Sequence, residues 1–124
     1  MSLYEVNEKP TKENVEKYDE GRYTFYRFQY KDWEMGTKSW GMIYSTEEEA
    51  REDDCEILEG KSCCDTAKEL VSYMSFFSDD FRVLVVEGDC IGEGHDGESV
   101  VDISRIVEIW HFNDFIKFMD EIEE

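Results

Sequence analysis

The stretch Val83–Ile103, VLVVEGDCIGEGHDGESVVDI, decides how this chain is read. Two apolar runs flank a segment with four glycines, five acids, one cysteine and one of the two histidines. Runs of this kind are core strands, and FRVLVVE (Phe81–Glu87) is the expected central buried strand. Asp96-Gly97 supplies the positive-φ residues of a hairpin turn. A phosphate cradle would need a helix start and a lysine. This loop instead carries carboxylates and leads into a second strand candidate. An EF-hand is excluded as well, because Asp89, Ile91 and Glu93 break the ligand pattern.

Strand signals continue on both sides of this stretch. RYTFYRFQY (Arg22–Tyr30) and SWGMIY (Ser39–Tyr44) read as a hairpin pair. A short strand is expected around Asp89–Gly92, with ESVVDI and RIVEIW as two more. Thr11–Tyr18 forms a short helix stopped at Gly21, with Val15 and Tyr18 on its apolar side. Ser45-Thr46-Glu47-Glu48 and Thr66-Ala67-Lys68-Glu69 are capping boxes. The first opens a charged helix to about Leu58. The second opens an amphipathic helix with Leu70, Val71, Met74 and Phe77. Asn113 caps a last helix whose Phe115, Ile116, Met119 and Ile122 face one way. The fold class is α+β: a single domain of residues 1–124 with two to three main helices. Its antiparallel or mixed sheet should have about five to six strands.

Charge restricts the function classes. Thirty-two acids against thirteen bases give −19, and −18 of that falls on residues 41–124. Such a surface repels nucleic acid and speeds encounter with basic partners. The bland reading is solubility. No apolar run reaches the length of a membrane span, and the N-terminus has no hydrophobic signal core. The expected compartment is the cytoplasm, where Cys55, Cys63, Cys64 and Cys90 stay reduced.

Two constellations could carry function. Cys63 and Cys64 at a helix entrance, with Cys90 and His95 around the glycine-rich turn, could hold zinc. The alternative is buried, unliganded thiols. A Cys–His nucleophile built from the same residues is the enzyme reading, and no flanking motif supports it. His111 reads as a packed or surface histidine. The second constellation is an acidic face of Asp53, Asp54, Glu56, Glu59, Asp79, Asp80, Glu87, Asp89, Glu93, Asp96 and Glu98. Carboxylates spread over a surface imitate a phosphate backbone, and lysines and arginines of a nucleic-acid channel pair with either.

GKSCCDT (Gly60–Thr66), the amphipathic helix after it and VLVVEGDCIGEGHDGESVV together carry a resemblance over roughly residues 22–118. They look like a group of small proteins from phages and mobile elements of low-GC Gram-positive bacteria. Size and acidity are also similar to the anti-CRISPR class of phage inhibitors. Several members of that class bind the nucleic-acid channel or recognition lobe of a type II CRISPR nuclease, and some carry structural zinc. The resemblance implies a non-enzymatic inhibitor that blocks DNA binding or loading through its acidic face. The alternative is a small zinc protein or a Cys–His enzyme.

Overall fold

A computed structural model describes residues 3–32, 47–54, 60–73, 79–94 and 97–122. Its elements run α1 (Lys12–Glu20), β1 (Thr24–Tyr30), α2 (Glu47–Glu52), β2 (Lys61–Cys63), α3 (Ala67–Tyr73), β3 (Phe81–Glu93), β4 (Ser99–His111) and α4 (Phe112–Ile122). The class is α+β. All strand pairs are antiparallel, in the order β1-β3-β4-β2.

The described residues hold four strands rather than five or six. The separate strands expected at 81–87 and 89–92 are one strand, β3, and those expected at 98–103 and 105–110 are one strand, β4. Register shifts at Val85/Val86, Glu87/Gly88 and Cys90/Gly92 absorb the irregularity. A bulge bends a strand and sharpens its twist without ending it. Glycines and acids that read as breaks are therefore bends. SWGMIY lies outside the described residues. β2 was not foreseen, since KSC carries no alternating pattern; it is a strand because β4 offers it partners at Ser99–Val101. Its neighbour Cys64 reaches the other edge of the sheet. Tyr26 N–H donates to the Cys64 carbonyl at 2.9 Å and Cys64 N–H to the Tyr26 carbonyl at 2.8 Å. The two edge strands thus meet, and the sheet curls on itself.

Alternation along β3 fills two cores. Phe81, Val83 and Val85 face one side, with Tyr26, Trp110 and residues of α1, α3 and α4. Leu84 and Val86 face the other, with Phe25, Cys63, Val101 and Tyr4. Both faces of β3 are covered, so the continuous run is buried along most of its length, as the sequence implied. Trp110 stacks on Phe115 at 6.0 Å, and Phe81 meets Phe112 edge-on at 5.8 Å. These contacts seat α4 on the sheet.

The helix ends obey their caps with adjustments. Thr11 accepts from Asn14 N–H at 3.2 Å, and α1 ends at Gly21. Thr66 accepts from Glu69 N–H at 3.1 Å, and Glu69 reaches back to the Asp65 amide rather than to that of Thr66. α2 stops at Glu52, short of Leu58, with Asp53 and Asp54 in a turn where Asp54 takes φ 55. Asp is among the few residues that tolerate that region. α4 starts at Phe112, ahead of Asn113, because His111 caps it: Nδ1 accepts from the Asn113 N–H at 3.2 Å. Phe112 is buried at that start, whereas Ile122, the last residue of the helix, is 45% exposed. No helix among the described residues is long and apolar enough to cross a membrane.

Candidate functional site

The described acids of the expected face are spread along the sheet and beside α2. β3 spans about 40 Å if straight, with Asp79 and Asp80 at its start and Glu93 at its end. At the near end, Asp79 accepts from Asn113 Nδ2 at 2.7 Å, and Asp80 pairs with Lys31 at 3.2 Å. Along the strand, Glu87 takes a two-pronged contact from Arg105 at 2.9 and 3.0 Å. Those hydrogen bonds hold the Glu87 carboxyl below its usual range, so it is locally neutralised. Asp53 and Asp54 are exposed beside α2. Glu56, Glu59 and Asp96 lie outside the described residues.

The far end of the β3–β4 hairpin is different. Asp89 stands directly opposite Asp102 in the antiparallel register, and both are exposed. Neither has a cationic partner among the described residues. Directly opposed side chains sit about 5 Å apart at Cβ, so like charges there oppose the fold. Glu93 is exposed nearby, opposite Ser99. Sequence reading passed over Asp102, because only the register places it against Asp89. The turn that joins the strands is built as expected at Gly97, which takes φ 81 and donates to the Gly94 carbonyl at 3.1 Å.

Glu98 does not join this surface. It is 7% exposed and accepts from the Ser62 hydroxyl at 3.2 Å. It lines a cleft of about 540 Å³ between the hairpin turn and α3, with Asp65, Glu69, Lys68 and Tyr73. Across the mouth of that cleft, Ser99 donates to Asp65 at 2.7 Å.

Among the described residues, the candidate zinc ligands Cys63, Cys64 and Cys90 are not gathered at one point. Cys63 and Cys64 are adjacent, and strand alternation sends their side chains to opposite faces of the sheet. Cys63 lies in the core with Leu84 and Val101, and Cys64 in the core with Tyr26 and Leu70. One ion cannot use both. Cys90 is exposed, and its thiol donates to the Gly92 carbonyl at 3.3 Å. His95 lies outside the described residues. Among the described residues no group of three or more His, Cys, Asp or Glu side chains could hold a metal ion.

The two buried thiols are quiet. Burial pushes Cys63 and Cys64 each up to about 12. For Cys63 this happens despite the opposing charges of Arg27 and Lys61. Arg27 is held on that face by Gln29 Oε1 at 3.0 Å and the Ser62 carbonyl at 2.8 Å. A thiol far above neutral pH is a poor nucleophile.

On the opposite face, Glu108 is buried and accepts from Tyr18 and from Trp110 Nε1, the latter at 3.0 Å. Burial first, and the Glu108 hydrogen bond second, push the Tyr18 phenol up to about 12. This network ties α1 to β4. We read it as structural.

Compared with protein-family profiles, curated proteins and solved structures, the chain has no match.

Proposed function

We propose that this protein is a phage-type inhibitor that binds a basic, nucleic-acid-handling surface of a type II CRISPR effector nuclease. Binding blocks the loading of DNA. The observation that carries this reading is the pairing of Asp89 with Asp102, two exposed carboxylates set opposite each other on the β3–β4 hairpin with no cationic partner among the described residues. On the same strand Glu87, by contrast, is neutralised by Arg105. A like-charge pair lowers stability by about 0.2–1 kcal/mol. Cations of a partner would offset that cost on binding. Glu93 extends the charge along the hairpin, and the net −19 of the chain adds long-range attraction.

The test is capture of such nucleases, with and without DNA, at low and moderate salt. DNA and this protein should compete, and the complex should weaken steeply with salt. Joint replacement Asp89→Asn, Glu93→Gln and Asp102→Asn should weaken capture strongly. No capture by any such nuclease at low salt sinks the reading.

A further inference from the structure

β3 outruns its neighbour on the β1 side. β1 begins at Thr24, opposite Glu87, and the Gly88 N–H donates to the Tyr23 carbonyl at 3.0 Å. Beyond that bond, Asp89–Glu93 pair only with β4 among the described residues. Backbone groups of alternate residues point to the same side of a strand. The next donor and acceptor on this edge therefore belong to Cys90. Asp89, Cys90, Ile91 and Glu93 are all exposed, and Ile91 keeps 45% of its surface.

An open edge is a template for another strand, and charged side chains on it decide which strand is admitted. A second copy of this chain would bring the same carboxylates against Asp89 and Glu93. An extended segment rich in lysine or arginine meets the opposite sign. Its aliphatic stems have Ile91 to cover. Resting on the acidic-surface reading above, we infer that the β3 edge Asp89–Glu93 docks an extended basic segment of the partner by strand addition. The partner backbone pairs at Cys90, and its basic side chains on one face meet Asp89, with Asp102 one strand further on that same face.

The probe is a synthetic peptide of alternating lysine and valine, titrated at low salt into isotope-labelled full chain. The control peptide has equal charge and prolines that remove the backbone donors. The alternating peptide should shift and protect the amides of residues 88–93, that of Cys90 above all. The control should bind about tenfold more weakly, a loss on the scale of one or two net backbone hydrogen bonds. Equal binding of both peptides, weakened for both by Asp89→Asn with Asp102→Asn, overturns strand addition and leaves the acidic-surface reading standing. Binding of both that is indifferent to those replacements overturns the two together. No binding of either peptide, or dimerisation of the chain that the peptide displaces, overturns the choice of occupant.

Discussion

The Tyr18 hydroxyl on α1 donates to the buried Glu108 carboxylate on β4, 90 residues away in the chain. With Trp110 Nε1 on the other carboxyl oxygen, this contact satisfies a buried polar group inside the core. Tyr18→Phe leaves one side of that carboxylate without its donor. We expect a loss of about 1–3 kcal/mol, read as a lower urea midpoint with an unchanged slope. A loss under about 0.3 kcal/mol would show the pair to be incidental.

Replacement Asp89→Lys turns the opposed carboxylates into an oppositely charged cross-strand pair. The expected gain is about 0.2–1 kcal/mol in unfolding free energy, together with weaker capture by the basic partner. Stability and binding moving in opposite directions is the signature of charge kept for a partner. A gain in both, measured by urea unfolding and pull-down, would sink this assignment.

Thiol chemistry should separate the cysteines. A brief alkylation of native protein near neutral pH should label Cys90, which is exposed, well before Cys63 or Cys64, which are buried with thiols pushed up to about 12. Peptide mapping by mass spectrometry reads the order. Early labelling of Cys64 would contradict its place in the helix-side core.

Lys61 gives a pH dependence of definite sign. Burial, then the charge of Arg27, lowers its ammonium from 10.5 to about 8. Between those values the unfolded chain holds more protons than the fold, so this group makes stability rise with pH. Cys63 and Cys64 act oppositely. Raised from 9.0 to about 12, they favour the fold below about 9 and lose that contribution as pH climbs. Lys61→Met should remove the rising component between pH 8 and 10.5. Urea midpoints of both proteins across that range test it; parallel curves would refute it.

Core burial sets the largest effects. Trp110 is fully buried between Tyr26 and Phe115. Trp110→Ala should lower stability by about 3–5 kcal/mol and Leu84→Ala by about 2–5 kcal/mol. Thr66→Ala, which removes only a cap, should cost about 1 kcal/mol. Calorimetric midpoints that fail to rank the caps below the cores would contradict the two-faced sheet.

The sequence by itself determined those features whose cause is local. The β-branched run Phe81–Glu87 is the central strand because alternation cannot expose half of a continuous apolar run. Thr66 caps a helix because its hydroxyl reaches the amide three residues on. Gly97 turns the hairpin because its φ is positive. Tertiary structure decided what depends on register and on which face is covered. Bulges join pairs of expected strands into β3 and β4. His111 rather than Asn113 caps α4, since the strand delivers its ring to the helix start. Glu98, counted among surface acids, is buried against Ser62, whereas Asp102 faces Asp89 through a pairing that no linear pattern encodes. Cys63 and Cys64 look like a ligand pair because they are adjacent. On a strand, that same adjacency points them to opposite faces.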